Sequence, residues 1–301
     1  MSDPEKKIGL VLEGGGMKCA YGAGILDCFM EAGIEFDYCI GVSAGSANGA
    51  GFLARQHGRS LRFYTEHISD DRYFGLRPLI EQGGIFGLDY IYNDLSLSTG
   101  KDPLDYDTFA ANPCDFEVVA TDAETGKAVY FRKSDIMRDD YRVIMCSSCL
   151  PAVSKPVQFR GRYYFDGGVA DSIPCDRAFE KGCTKIVVIT SKPRNYFKEP
   201  ENFKAAYTRI LKDWPETVKA VDNRHLAYRE SQRKMFGYEA RGTAFLYCMS
   251  HEIRSSTYNM NRDTAKEMYE LGRRDYVASV PKLRHFLEGS YPAAYDIARK
   301  N

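Results

Sequence analysis

The strongest constraint on the fold is an alternation of strand-like and helix-like segments at the start of the chain. Residues 7–12 and 36–42 are apolar runs, and each is followed by a segment of helical character, residues 20–32 and 43–55. The first helix carries a stripe of small residues at four-residue spacing, namely Ala20, Gly24, Cys28 and Ala32. The stripe predicts a helix that lies close to a sheet. The strand–helix–strand–helix order predicts parallel strands with right-handed crossovers, and therefore an α/β fold.

The rest of the chain divides near residue 190. The pattern predicts hairpins over residues 116–132 and 157–165 and a core strand over 185–190, whereas residues 69–105 suggest an irregular excursion or an unrecognised helix. After a proline-bounded connector, the pattern predicts three helices and one strand: residues 203–212, 217–237 and 262–287, with the strand at 243–248. We therefore expect a catalytic-type domain over residues 1–190 and a mainly helical extension over residues 191–301.

Composition limits the partners of the chain. The 41 Lys and Arg residues balance 41 Asp and Glu residues, so no long-range field attracts nucleic acid, and we expect no nucleic-acid partner. No run approaches the roughly 18 apolar residues that a membrane span requires. The apolar run of residues 8–12 is too short for a secretory signal, so we expect a cytoplasmic protein.

The nine cysteines favour reduced, buried thiols over a disulfide framework. Cys146 and Cys149 form a C-x-x-C pattern, for which redox or zinc chemistry is the alternative. A zinc site needs a second ligand pair, and the next cysteines, Cys175 and Cys183, are neither paired nor beside a histidine. Two small residues at a turn in the core explain the pattern better, and we expect no metal site.

A G-x-S-x-G sequence, Gly41-Val-Ser43-Ala-Gly45, lies between a predicted strand and a predicted helix. In this context the pattern predicts a nucleophile elbow, because glycines on both sides permit the sharp turn that exposes the serine. The helix that follows directs N–H groups toward the same point. Ser43 is therefore the candidate nucleophile.

Gly14, Gly15 and Gly16 follow the first predicted strand. Consecutive glycines allow backbone N–H groups to turn toward an anion, and adjacent parallel strands bring this loop beside Ser43. The loop could form an oxyanion hole. A phosphate loop is the alternative, but the sequence lacks the third glycine and the G-K-[ST] ending that such motifs require.

A serine nucleophile requires a base. None of the five histidines lies in a glycine-rich turn or at a confident strand end, whereas Asp166 directly follows a predicted strand and precedes Gly167-Gly168. A carboxylate can accept the serine proton directly if the geometry and burial bring their basicities together. Taken alone, the residues favour the interpretation of Asp166 as an ordinary turn residue.

Three motifs in this order resemble those of the patatin-like phospholipases, especially their bacterial branch: GLVLEGGGMK at residues 9–18, GVSAG at 41–45 and DGG at 166–168. The resemblance covers about residues 8–190. It implies a Ser43–Asp166 dyad without a catalytic histidine and an oxyanion hole at Gly14, Gly15 and Gly16. It also implies a three-layer α/β/α sandwich with a mostly parallel sheet. Lys18 stands where the family more commonly has Arg, which leaves the role of Lys18 open.

The expected activity is that of a serine acyl hydrolase that cleaves acyl esters of phospholipids or related lipids through an acyl-enzyme, without a metal or organic cofactor. We expect peripheral membrane contact through apolar residues around the site. Six apolar residues in residues 72–92 could line an acyl channel or form a flap, although core is the simpler interpretation: Phe74, Leu76, Leu79, Ile80, Phe86 and Tyr90. An esterase or thioesterase for soluble substrates, or a non-catalytic lipid-binding scaffold, remains an alternative. The oligomeric state is not predicted.

Overall fold

A computed structural model describes residues 6–253 and 261–287. The strands are β1 (Ile8–Leu12), β2 (Tyr38–Val42), β3 (Asp115–Asp122), β4 (Ala128–Arg132), β5 (Val157–Phe159), β6 (Arg162–Asp166), β7 (Lys185–Pro193) and β8 (Ala244–Met249). The helices are α1 (Ala20–Glu31), α2 (Ala44–Leu53), α3 (Arg59–Thr65), α4 (Leu76–Gln82), α5 (Tyr106–Ala111), α6 (Arg142–Ser148), α7 (Cys175–Glu180), α8 (Lys204–Ile210), α9 (Pro215–Ala240) and α10 (Arg262–Leu287).

The strands form one sheet in the order β5-β6-β3-β2-β1-β7-β8, with β4 also paired to β3. The pairs β1–β2, β1–β7, β2–β3 and β7–β8 are parallel, while β4, β5 and β6 pair in antiparallel fashion. Side chains of successive strand residues point to opposite faces. Leu10 and Leu12 accordingly join the core under α1, whereas Val11 joins the core shared with α7 and α9. The prediction of a three-layer α/β/α sandwich with a mostly parallel sheet is confirmed.

The small-residue stripe of α1 contacts a helix rather than the sheet. A Cβ atom on Gly24 would overlap the carbonyl oxygen of Tyr269 in α10, and a Cβ atom on Gly272 of α10 would overlap the carbonyl oxygen of Tyr21 in α1. The expectation that the stripe packs on the sheet was wrong for Gly24, because periodicity shows that a close neighbour exists without identifying it.

The helical C-terminal region is joined to the same sheet. β7 extends through residues 185–193, and β8 pairs with it in parallel. α10 lies on α1, where the hydroxyl groups of Tyr21 and Tyr269 donate to Asp275 and Asp27 at 2.9 and 2.7 Å. The division into residues 1–190 and 191–301 stays a prediction.

Residues 69–105 contain more regular structure than the sequence suggested. They include α4 and a π-helical turn at Tyr90–Leu95. Leu76 and Ile80 of α4 are 75% and 82% exposed and Leu79 is 43% exposed, so the simpler assignment of these residues to the core was wrong. None of the described helices combines the length and apolar character that crossing a membrane would need.

Candidate active site

The glycine loop after β1 is fixed by contacts that leave no room for side chains. A Cβ atom on Gly15 would overlap the hydroxyl of Ser191, and Gly16 has a φ of 56°, which favours glycine. The Ser191 hydroxyl donates to the carbonyl oxygen of Gly14 at 2.7 Å. A Cβ atom on Gly14 would lie 2.9 Å from the Cβ atom of Ser43. The loop therefore lies directly beside the serine.

Glu13, which begins this loop, is a buried carboxylate held at both oxygens. The Tyr228 hydroxyl donates to Oε1 at 2.8 Å, and the backbone N–H of Ser191 donates to Oε2 at 2.6 Å. Burial and the neighbouring Glu13 raise the pKa of Tyr228 far above its ordinary value. Tyr228 therefore stays a protonated donor to this carboxylate.

Ser43 sits at a strained turn between β2 and α2. Its φ and ψ are 53° and −130°, a conformation that non-glycine residues seldom adopt. A Cβ atom on Gly41 would come within 2.5 Å of the Ser46 Cα atom, and one on Gly45 within 2.6 Å of the Glu13 carbonyl oxygen. Both flanking glycines are therefore required by close backbone approach, and they lie behind the serine rather than in the cavity.

Asp166 ends β6 and begins a short 3-10 turn, Gly167–Val169. The sheet register brings it near Ser43, because Val42 pairs with Val119 and Asp166 pairs with the next residue of β3, Ala120. The Asp166 Oδ1 atom accepts the N–H of Gly168 at 2.7 Å. The other oxygen, Oδ2, is buried and has no hydrogen-bond partner among the described residues.

The electrostatic environment of Asp166 makes its carboxyl group more basic than usual. Burial raises the pKa of Asp166, and this outweighs the lowering by the Arg224 charge, the Ser43 hydroxyl and the Gly168 amide. The Ser43 hydroxyl approaches closely enough to affect the pKa, although no complete hydrogen bond reaches Oδ2. A proton acceptor of raised pKa next to an alcohol is suited to general-base chemistry.

Lys18 lies in the 3-10 turn Gly16–Cys19 and is half-buried. Its pKa is lowered by burial and by the nearby charge of Lys192. The Lys192 ammonium donates to the Ser191 hydroxyl at 3.1 Å. Within the described ranges neither lysine forms a salt bridge. The charges of Glu13 and Glu252 act on the pKa of Lys18 in the opposite direction, so this edge of the site holds cationic and anionic groups together.

The predicted site residues other than Gly41 and Gly45 meet in one cavity of about 470 Å³. Gly14, Gly15, Gly16, Lys18, Ser43 and Asp166 all line it. Apolar and aromatic residues also line the cavity, among them Phe63, Tyr64, Phe86, Leu88 and Ile91. The cavity thus has both charged and apolar residues in its lining.

Several residues of the cavity were missed from sequence. Lys192 follows the core of β7, so the rule that parallel strands end at one edge could have identified it. Arg224 and Tyr228 of α9 also line the cavity, and nothing in the local sequence distinguishes them from solvent-facing helix residues. Ser147, whose hydroxyl accepts the backbone N–H of Ser43 at 2.7 Å, gave no signal either.

Other candidate chemistries receive little support from the geometry. Cys146 and Cys149 are buried, unpaired thiols, and burial raises the pKa of both. In residues 6–253 and 261–287, no three His, Cys, Asp or Glu side chains are arranged to hold a metal ion. None of the described residues that line the cavity is a histidine. The expectation of a reaction without metal stays a prediction.

Comparisons with known proteins agree with the three motifs. The family model described as patatin-like phospholipase matches residues 10–179, and a domain of unknown function matches residues 214–288. YjjU of Escherichia coli strain K12, an uncharacterized protein, is 28% identical over 297 residues, which cover 92% of this chain and 79% of YjjU. The crystal structure of VipD from Legionella pneumophila is similar with a TM-score of 0.45 and 12% identity, over 93% of this chain and 68% of VipD.

Proposed function

Because the chain belongs to the patatin-like phospholipase family of lipid acyl hydrolases, we propose that it cleaves acyl esters of phospholipids or related lipids with a Ser43–Asp166 dyad. One observation carries the proposal: the buried Asp166 Oδ2 atom lacks a hydrogen-bond partner among the described residues and lies in the same cavity as Ser43. A buried polar atom without a partner is costly to the fold, which favours a functional reason for it.

The reaction begins when Asp166 accepts the hydroxyl proton of Ser43. The Ser43 oxygen bonds to the ester carbonyl carbon, and the N–H groups of the loop Gly14–Gly16 stabilise the oxyanion. When the bond to the leaving alcohol breaks, Asp166 returns the proton to that alcohol. Asp166 then takes a proton from water, the resulting hydroxide attacks the acyl-enzyme, and Ser43 recovers its proton as the fatty acid leaves.

The mixed charged and apolar lining of the cavity supports an amphiphilic substrate. Burying an acyl chain against the apolar lining residues would contribute about 0.8 kcal/mol per CH₂ group. Lys18 and Lys192, which form no salt bridge with described residues, favour an anionic group such as a phosphodiester near the serine. A soluble ester or thioester remains the alternative substrate, since it needs the same dyad.

The exposed helix α4 supports peripheral contact with a lipid surface. It lies between Tyr73 and Phe86, both of which line the cavity, and it exposes Leu76 and Ile80. Apolar side chains that enter the interface would bring the cavity mouth to the lipid. Replacing both with Gln should lower binding to phospholipid vesicles in a sedimentation assay while leaving hydrolysis of a short soluble ester unchanged.

A fluorophosphonate probe tests the nucleophile. The wild-type protein should be labelled, Ser43→Ala should not, and Asp166→Asn should lose on the order of 10⁴-fold in turnover. The exposed residues Ser98 and Asp107 give matched controls, Ser98→Ala and Asp107→Asn, which should behave as wild type. Absence of wild-type labelling, where an authentic serine hydrolase is labelled, would favour a non-catalytic scaffold.

A comparison of substrates distinguishes the lipid substrate from the soluble-ester alternative. Phospholipid vesicles should be hydrolysed more efficiently than short p-nitrophenyl esters, whereas the reverse order would favour the soluble-ester alternative.

Because burial raises the pKa of Asp166 and the base must be ionised, kcat/KM should rise with pH through a value above the ordinary carboxyl range. EDTA should leave the activity intact, and a loss restored by calcium would reveal a metal requirement.

A further inference from the structure

We infer that Arg224 and Tyr228 of α9 are positioning residues of the active site: Arg224 holds the turn that carries Asp166, and Tyr228 holds the glycine loop. The inference rests on the proposed function, since it concerns the same serine, base and oxyanion loop. It gives the long helix of the C-terminal region a direct part in the reaction.

Arg224 is linked to Asp166 by hydrogen bonds through one residue, Gly168. Its Nε atom donates to the carbonyl oxygen of Gly168 at 2.7 Å, and the N–H of Gly168 donates to Asp166 Oδ1 at 2.7 Å. The guanidinium is itself fixed, because its Nη1 atom lies 3.2 Å from Glu201 Oε1. The guanidinium therefore restrains Gly168, the residue whose N–H orients the carboxyl group.

Tyr228 is linked to the oxyanion loop by a hydrogen bond to the side chain of Glu13. Its hydroxyl donates to Glu13 Oε1, while Ser191 binds Glu13 Oε2 and also the carbonyl oxygen of Gly14. The carbonyl group of Glu13 packs against Gly45, behind the nucleophile. Loss of the Tyr228 hydroxyl would leave one oxygen of a buried carboxylate without a donor, and the loop could then shift.

The spacing of the two residues explains why one helix can serve both loops. Residues four apart in a helix lie on the same face, about one turn from each other. A rigid helix that contacts both loops fixes the distance between the oxyanion donors and the base. A misplacement of about 1 Å in such a constellation can cost roughly 100-fold in rate.

Arg224 has a second effect that Tyr228 lacks, because it carries charge. Among the described residues, the ionisable groups that interact with Asp166 include Arg224, the buried phenol of Tyr92 and the buried thiols of Cys19 and Cys149. Arg224 is the cationic member, and it lowers the pKa of Asp166 against the effect of burial. Its removal should therefore raise that pKa further and move the rising limb of the pH–rate profile to higher pH.

The experiment compares Tyr228→Phe and Arg224→Gln with matched controls on the same helix. Tyr238→Phe also removes a hydrogen bond to a carboxylate, that of Asp176 at 2.6 Å, but this bond does not touch a catalytic loop. Arg233→Gln removes an exposed pair with Glu230. With a short p-nitrophenyl ester and the full chain, both test variants should lose about 10- to 100-fold in kcat, and both controls less than about twofold.

The pH profile separates positioning from mere stabilisation. Arg224→Gln should shift the rising limb to higher pH, Arg224→Lys should restore the wild-type limb because it keeps the charge, and Tyr228→Phe should lower kcat without a shift. If Arg224→Gln raised only KM for phospholipid and left the limb in place, Arg224 would be a substrate-binding residue and the inference would be overturned. Equal kcat values in test and control variants would overturn it as well.

Amide hydrogen exchange distinguishes failure of this inference from failure of the proposed function. Peptides that contain residues 13–19 should exchange faster in Tyr228→Phe, and peptides that contain residues 166–170 faster in Arg224→Gln, with no change in Tyr238→Phe. This result is expected whether or not the wild-type protein hydrolyses an ester. Unchanged exchange in both loops would contradict the inference even in an active enzyme.

Discussion

The two long helices of the C-terminal region have the same length, 26 residues each, but contact the rest of the protein differently. α10 lies backbone to backbone on α1, at the facing glycines Gly24 and Gly272. α9 contacts two loops that line the cavity, the turn after Asp166 and the glycine loop, through the long side chains of Arg224 and Tyr228. Close packing fixes where a helix lies, whereas side-chain hydrogen bonds fix the geometry of loops. We therefore expect α10 to support mainly stability and α9 to support catalysis as well.

The difference between α9 and α10 is clearest for one tyrosine in each helix. Tyr269 of α10 donates to Asp27 Oδ2 at 2.7 Å, and Tyr228 of α9 donates to Glu13 Oε1 at 2.8 Å. Both acceptors are buried carboxylates. Asp27 lies in α1, away from the cavity, while Glu13 begins the glycine loop that lines the cavity. A hydrogen bond of the same kind thus joins two helices in one case and holds a loop of the cavity in the other.

The largest effect on stability is expected for Gly272→Ala. Its Cβ atom would overlap the carbonyl oxygen of Tyr21, so α10 and α1 must separate, at a cost of about 3 kcal/mol or more in the free energy of unfolding. Gly237→Ala in α9 is the control, because its Cβ atom meets only the end of Arg241 at 3.4 Å. That change should stabilise by about 0.5–1 kcal/mol. Urea unfolding measures both, and equal effects would remove the distinction between the helices.

An intermediate effect is expected for Tyr269→Phe. It removes one hydrogen bond to a buried carboxylate, and so does Tyr228→Phe, so each should cost about 1–3 kcal/mol in the free energy of unfolding. Turnover of a short ester, measured where both variants remain folded, should fall only in Tyr228→Phe. A comparable fall in Tyr269→Phe would show that α10 also acts on the active site.

The smallest effect is expected for Arg273→Ala. Arg273 pairs with Glu31 across the surface of the α10–α1 interface at 2.8 Å, where both side chains are partly exposed. Such a pair contributes less than about 1 kcal/mol and weakens with salt. Arg273 and His57 hold the pKa of Glu31 below its ordinary value, so the contribution is present at neutral pH and is lost as pH falls through the lowered pKa. Urea unfolding at two pH values and two salt concentrations checks this.

Much of the fold could be predicted because its sequence signals are local. Apolar runs ending in glycine clusters identified β1 and β2, and long periodic segments identified α1, α9 and α10. The short helices α3, α5, α6 and α7 were missed, since six or seven residues are too few for a helical period to be distinguished from chance. The partner of Gly24 was missed for another reason: its neighbour Tyr269 is far away in the chain.

The residues of the candidate site fall into the same two groups, those with a local sequence signal and those without one. Ser43, Asp166 and the glycine loop occur in motifs with turn chemistry of their own. The parallel strands gave the expectation that the glycine loop and Ser43 meet at one edge of the sheet, whereas the resemblance to a known family gave the expectation that Asp166 joins them. Arg224 and Tyr228 are polar residues on a polar helix, and such residues are usually solvent-facing. Their partners lie 56 and 215 positions earlier, at Gly168 and Glu13, so only the tertiary structure shows what they contact.

The hydrogen bond between Tyr228 and Glu13 also sets when, during synthesis, the glycine loop acquires all the hydrogen bonds that hold it. The two residues are 215 positions apart, which corresponds to roughly 10–40 s of translation at about 5–20 residues per second. For most of that interval a nascent chain already holds Ser43, but the Oε1 atom of Glu13 still lacks its donor. Until residue 228 has been made, the chain therefore holds Ser43 and the glycine loop without the hydroxyl group that binds Glu13 in the complete fold.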